Sequence, residues 1–282
     1  MATRYFRTFA TLFPRPSAAM EARTATVERT VPDAGSVGVT AGGIPRVLHY
    51  VWLGGASKPD WMEAVIANWR RLMPGFEVVE WNEQNLDISA HPWMARMYAE
   101  RRFAFASDYA RVMVLHRHGG VYLDTDVFMK KSIEPLLTHR CMWSFEFDAF
   151  LSTCFIASAP GHPLLKALMA EYDRLEGPVV NNALVTEYFL RHFPEFHLNN
   201  RAQTVGDDIH ILPKEHLVIP TYHRERNFAV HDANNQWKQK GRIRPGRILR
   251  KVLGDVLFYR LLNIYMNYSS IYPVLDRERG RS

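Results

Sequence analysis

An α/β layered domain with a largely parallel sheet is predicted by three features of the sequence. Strand-length apolar runs alternate with segments of helical period, Gly and Pro punctuate the joins, and no internal repeat is visible. The 282 residues suffice for one large domain, or one domain with appendages. A hydrophobic content of 47% with 23% charged residues is ordinary for a soluble globular chain, and seven Trp, twelve Tyr and sixteen Phe supply both a core and platforms for ligands.

Residues 1–43 are rich in Ala, Thr, Arg, Ser and Gly without a sustained period, which predicts a mobile tail. Arg4, Arg7 and Arg15 fall in the first twenty residues with no acid. The apolar stretch there is too broken for a secretory signal, which leaves an amphipathic organelle presequence as an alternative to a plain tail. Order is expected from Ile44, whose run to Trp52 is a buried-strand pattern ending at Gly54-Gly55. A helix over 60–72 stops at Pro74-Gly75, and a second strand covers 76–81. From Trp93 to His118 the pattern is one helix ending at Gly119-Gly120, followed by a short strand over 121–127. Strands near 142–147 and 154–157 and helices near 162–175 and 181–192 complete the domain, taken as 44–237. The remaining segment, 238–282, is basic and then amphipathic. Between Lys238 and Lys251 there are seven basic residues and no acid, so much of the net charge of +6 is local. The following Val252-Leu253, Val256 to Tyr259 and Leu261-Leu262 have helical spacing. They fit either core or attachment to an anionic membrane surface.

Leu123-Asp-Thr-Asp-Val127 carries the sharpest chemical signal. In an extended chain alternate side chains share a face, so Asp124 and Asp126 can meet one hard cation, Mn²⁺ or Mg²⁺, of the kind that bridges phosphate oxygens. Solvated acids at a strand end are the bland alternative. Upstream, Asp108 and Arg111 lie three residues apart and so neighbour each other on a helix that is otherwise apolar nearly all round. Such a pair is expected to face something polar, an ordinary ion pair being the alternative.

The stretch from Ala106 to Asp126, with the opening Ile44-Pro-Arg-Val-Leu-His-Tyr-Val-Trp-Leu-Gly-Gly55 and Pro160-Gly-His-Pro163, resembles the DXD-containing sugar transferases of glycosyltransferase family 32. It is also similar to the catalytic domain of the large clostridial glucosylating toxins. The resemblance implies a GT-A type fold, a Rossmann-like nucleotide-binding half continuous with an acceptor-binding half. It also implies transfer of a glycosyl group from a nucleoside-diphosphate sugar, UDP-linked, to a hydroxyl with retention, in polysaccharide or glycolipid synthesis. Residue by residue, Val51 and Trp52 would receive the base, and Asp108 and Arg111 the donor sugar, Arg111 also reaching phosphate. Asp124 would bridge hydroxyls and the metal, and Asp126 would ligate the metal directly. His231 would complete the metal or diphosphate site. Trp237 would cover the diphosphate, although Asn235-Gln236 stands where the family often has Ser or Lys-Pro. Gly177-Pro178 with Asn181 and Asn182 would line the acceptor side, or simply cap a helix. Glu146 and Asp148 are candidate acceptor or sugar contacts.

A haloacid-dehalogenase-like phosphatase is the rival enzyme, with Asp124 as nucleophile, Asp126 as general acid and Gly206-Asp207-Asp208 as its late acidic motif. It leaves Trp52, Asp108 and Arg111 unexplained. No GxGxxG, Walker-type or HExxH motif occurs, so dinucleotide, P-loop and zincin readings have no support. Two cysteines without CxxC spacing make neither a disulfide framework nor a structural zinc site, and no apolar run reaches about 18 residues. The expected partners are therefore a nucleotide-sugar donor and a saccharide or lipid-linked acceptor, with no nucleic acid. The expected location is the cytoplasm, with the inner face of a membrane as an extension of it.

Overall fold

The computed structural model describes residues 38–232 and 245–280, with side chains from Ile248 onward in the second span. The Rossmann-like part comes first: β1 (Val47–Val51), α1 (Asp60–Leu72), β2 (Glu77–Trp81), α2 (Pro92–Ala99), α3 (Phe103–His118) and β3 (Gly120–Leu123). Next come β4 (Val127–Met129), β5 (Cys141–Phe147), β6 (Phe150–Ser158), α4 (Pro163–Tyr172) and α5 (Asn181–His192). The chain continues through β7 (Gln203–Val205), β8 (Ile209–Leu212), the single turn α6 (Lys214–Leu217) and β9 (Ala229–His231). It ends in the helices α7 (Pro245–Leu253), α8 (Asp255–Ser269) and α9 (Tyr272–Arg279).

The α/β class holds, and the two halves share one seven-stranded sheet in the order β2-β1-β3-β6-β5-β8-β7. The sheet is mixed, where the sequence predicted a largely parallel one. β1, β2 and β3 are parallel, but β5 and β6 form an antiparallel hairpin and β7 runs antiparallel to β8. Only two residues, Asp148 and Ala149, join β5 to β6, far too few for the crossover that a parallel pair requires. This hairpin sets where the chemistry lies. The carboxyl ends of β1, β3 and β5 and the start of β6 all emerge on one side of the sheet.

The helix expected over 93–118 is two helices. Arg101 adopts φ 57°, Arg101 N–H donates to Tyr98 O at 2.8 Å, and Arg102 N–H donates to Met97 O at 2.8 Å. That is a Schellman cap with Arg where Gly is usual, so composition gave no stop signal. The second helix, α3, is buried along Ala106 and Tyr109 to Leu115, and Gly119 ends it as predicted. Residues 38–43 fold back on the domain: Val39 bridges Pro45, and Gly42 N–H donates to Leu137 O.

His49 fastens the start of β3. Its Nδ1 accepts from the Trp81 indole at 3.0 Å, so the proton sits on Nε2, which donates to Gly119 O at 2.9 Å. Gly120, at φ 97°, passes so close that a Cβ would lie 2.8 Å from His49 Nε2. Burial, reinforced by His118 and opposed by the Gly119 bond, pushes the His49 imidazole down to about 3. A folded-state pKa below the unfolded value means that stability is complete above about pH 6.5 and falls as pH drops toward 3. The slope is about 1.4 kcal/mol per pH unit. In urea unfolding, the stability gap between wild type and His49→Gln should therefore shrink by about 2 kcal/mol from pH 7 to pH 5. An unchanged gap would remove His49 as the titrating group.

Candidate active site

Asp124 follows β3 directly, where its N–H donates to Cys154 O of β6 at 2.9 Å. The acidic pair is not in an extended strand, as the sequence reading had it. Asp124-Thr-Asp126 is a turn between β3 and β4, closed by Val127 N–H donating to Asp124 O at 3.0 Å. The turn alone does not define the site. β9 pairs antiparallel with β4, Val127 opposite His231, and Asp232 N–H donates to Asp126 O. The imidazole of His231 is thereby carried to Asp126, with Nε2 to carboxylate at 3.2 Å. Ligand atoms of Asp124, Asp126 and His231 all lie within 4.8 Å of one another. Two carboxylates and an imidazole suit a hard or borderline divalent cation such as Mn²⁺ or Mg²⁺.

His231 also faces Glu146 through Nδ1 at 3.2 Å. Glu146, a candidate acceptor or sugar contact from the sequence, stands behind the imidazole. Ser152 Oγ donates to it at 2.5 Å and Asn182 Nδ2 at 3.3 Å. A carboxylate behind a ligating His fixes the ring's orientation. Burial opposes ionisation of Glu146, but His231, Ser152 and Asn182 together hold its carboxyl below the usual range. Burial likewise disfavours a charged His231. Cys154, Asp126 and Glu146 around it outweigh that and keep the imidazole well above its ordinary value. Cys154 lies close enough to join Glu146 and His231 in a second ligand set. Burial pushes its thiol up, however, which disfavours the thiolate a metal would need.

Asp108 and Arg111 come from the middle of α3. Arg111 is only 5% exposed. Its guanidinium spans the two acids, Nη2 to Asp108 at 2.7 Å and Nη1 to Asp124 at 3.3 Å. Nη1 also donates to Thr153 O at 2.7 Å, Nε to Ser107 O at 3.3 Å and Nη2 to Ser107 Oγ at 3.5 Å. Three hydrogen bonds to Ser107 and Thr153 and ion pairs to both acids thus fix the guanidinium between α3, β6 and the turn. Tyr122 donates to Asp124 at 3.0 Å and lies under the Arg111 guanidinium. Burial pushes the Asp108 carboxyl up to about 7 despite Arg111, with Asp124 adding to the rise. Asp124 is also raised, by burial first, against the pull of Arg111. Asp108, Asp124, Asp126 and Glu146 thus outnumber Arg111 and His231, four acids to two bases. A site with this surplus of buried acid suits a cation.

Val51 ends β1 and Trp52 follows it, at the same end of the sheet as the end of β3. Val51 is buried, while Trp52 is half-buried with its indole donating to Ala56 O at 2.7 Å. Trp237 lies outside the described residues. Asn181 and Asn182 do not cap α5, whose N-cap is Val180 without a side-chain bond. Asn181 accepts from Tyr172 at 2.8 Å and reaches Asp108 at 3.4 Å, and Asn182 accepts from Thr153 at 3.0 Å. Asp148 pairs with Lys214 and with Asn263 of α8. The Asp207-Asp208 motif of the phosphatase reading lies at the opposite end of the sheet, by the start of β5, where Asp208 pairs with His162 at 3.0 Å.

Residues 59–143 match the family described as the glycosyltransferase sugar-binding region containing the DXD motif. This stretch of the chain thus resembles the sugar-binding region of the DXD-containing glycosyltransferases. It is 25% identical over 135 residues to inositol phosphoceramide mannosyltransferase 3 of Schizosaccharomyces pombe, a match covering 46% of this chain and 38% of that protein. It is 24% identical over 218 residues to the uncharacterized glycosyltransferase L373 of Acanthamoeba polyphaga mimivirus, covering 69% of this chain and 84% of the viral one. Among solved structures it is similar to the PaToxG glycosyltransferase, with a TM-score of 0.42 and 17% identity over 56% of this chain and 73% of that one. Within this family match, both Asp108/Arg111 and Asp124/Asp126 lie inside the sugar-binding region, whereas Glu146, Asn182 and His231 lie beyond its end.

Proposed function

We propose that this glycosyltransferase moves a glycosyl group from a nucleoside-diphosphate sugar, UDP-linked, to a hydroxyl, with a divalent cation held by Asp124, Asp126 and His231. The carrying observation is the convergence of those three groups from the turn after β3 and from β9. When bound, the cation offsets the charge that develops on the departing diphosphate. The protein's own groups do the rest. Asp108 and Asp124 accept hydrogen bonds from sugar hydroxyls, and Arg111, paired with both carboxylates, holds them in place and reaches toward phosphate. Glu146 keeps the His231 ring aimed at Asp126. Trp52 offers a half-buried face at the end of β1 to the base, beside Val51. For retention, the bond from the anomeric carbon to the phosphate oxygen breaks while the acceptor oxygen bonds the same face. The acceptor's proton passes to the departing phosphate, so no protein nucleophile is required.

The fission-yeast relative is named for mannosylating an inositol phosphoceramide, and this supports a lipid-borne acceptor for the present chain. The reaction would then occur in the cytoplasm at the inner face of a membrane. The test is a screen of UDP- and GDP-sugars for hydrolysis with Mn²⁺, with Mg²⁺ and in EDTA. We expect turnover of a UDP-sugar that EDTA abolishes and Mn²⁺ restores. Full activity in EDTA, or no nucleotide-sugar turned over under any condition, would overturn the reading.

A further inference from the structure

The outward face of the C-terminal helices is apolar where a surface helix is ordinarily polar. On α8, Leu257, Leu261, Ile264, Tyr265 and Tyr268 recur at i, i+4, i+7, i+8 and i+11, one stripe of a helix. All are exposed, Tyr268 by 92%. The inward face is apolar as well, with Phe258, Tyr259 and Leu262 packed on the domain. A helix apolar on both sides is expected to be covered on both. Val252 of α7, 76% exposed, and Ile271 before α9 extend the stripe. Single exposed apolar residues need no explanation, but a continuous stripe does.

Charge decides what covers it. From Lys238 to Gly280 the sequence holds ten basic residues and three acidic ones. Lys251 and Arg260 are exposed beside the stripe. A second copy meeting this face across a two-fold would bring like charges together, whereas anionic lipid answers both the apolar stripe and its basic flank. Among the described residues no helix is long and apolar enough to cross a membrane, so the face would lie on the surface and not span it. The helices are also fastened to the candidate site. Tyr259 donates to His231 O at 3.3 Å, and Arg250 pairs with Asp232 at 2.7 Å.

We infer that the face formed by Leu257, Leu261, Ile264, Tyr265 and Tyr268, flanked by Lys251 and Arg260, seats on an anionic lipid surface. It gives the lipid-borne acceptor proposed above a place of delivery, and rests on that reading only for this purpose. The test is co-sedimentation of the full chain with phosphatidylcholine vesicles, with and without phosphatidylserine, alongside donor hydrolysis in solution. Binding should require phosphatidylserine and weaken steeply as salt rises and the Debye length shortens. Leu261→Glu with Ile264→Glu should release the protein, and Lys251→Gln or Arg260→Gln should each lower partition about fivefold. None of these substitutions should alter donor hydrolysis. Wild type that ignores both vesicle types overturns the inference and leaves sugar transfer standing. So does a dimer that the Glu substitutions dissociate. Vesicle binding by a chain that hydrolyses no donor would sink the transferase reading alone.

Discussion

Asp126→Asn should abolish donor hydrolysis and transfer while the protein still folds, with a modest drop in unfolding temperature from the lost ion pair to His231. The side chain of Asp126 meets His231 at 3.2 Å, and the backbone bond from Asp232 that holds the turn does not involve it. Asn keeps the shape and removes a charged oxygen ligand, together with the repulsion that helps raise Asp124. The loss should exceed the roughly 10–100-fold drop in metal affinity or activity typical when an outer partner of a metal ligand is removed. Glu146→Gln supplies that comparison, because Glu146 meets His231 at Nδ1, the ring nitrogen turned away from Asp126. The measurements are Mn²⁺ binding followed by electron paramagnetic resonance, steady-state hydrolysis and thermal unfolding. Near-normal turnover in Asp126→Asn would remove metal-assisted transfer from consideration.

The largest stability effect is expected at Arg111. Arg111→Met leaves Asp108 and Asp124 buried without their shared cation, a change that costs about 3–5 kcal/mol. The cost should depend on pH. A buried carboxyl with a folded pKa above its unfolded value costs nothing below the unfolded value. It then destabilises increasingly as pH rises toward the folded one. Asp108 already stands at about 7 with Arg111 in place, and losing the guanidinium raises it further. Urea midpoints of Arg111→Met should therefore rise as pH is lowered from 8 to 5, more than those of wild type. Arg111→Lys keeps the charge but not five N–H groups in a plane, so it should fold and yet lose most turnover. Normal kinetics in Arg111→Lys, or a midpoint of Arg111→Met that ignores pH, would return the pair to an ordinary ion pair.

The Rossmann-like half was legible in the sequence because its signals are local. The Val47–Val51 run, the stop at Pro74-Gly75 and Gly119-Gly120 are each decided by a few neighbouring residues. Asp124 and Asp126 were visible for the same reason, though their route to one another is a turn and not the alternation of a strand. What stayed hidden depends on distant partners. Nothing near Glu146 announces that its carboxylate will stand behind His231, 85 residues later, and Asn182 reads locally as a helix cap. Arg101 hid a helix break because its left-handed backbone is set by the cap and not by composition. The outward stripe of α8 reads equally as core in one dimension, and only the packing of Phe258 and Tyr259 assigns it the other face.

The pairing of β4 with β9 also has a consequence for synthesis. Asp126 and His231 are 105 positions apart, and translation proceeds at about 5–20 residues per second. For about 5–20 s, then, the growing chain carries its two aspartates without the imidazole that joins them. During that interval the emerging Rossmann-like half can collapse and its sheet can begin to pair. Its acidic corner stays open to water until the last short strand arrives.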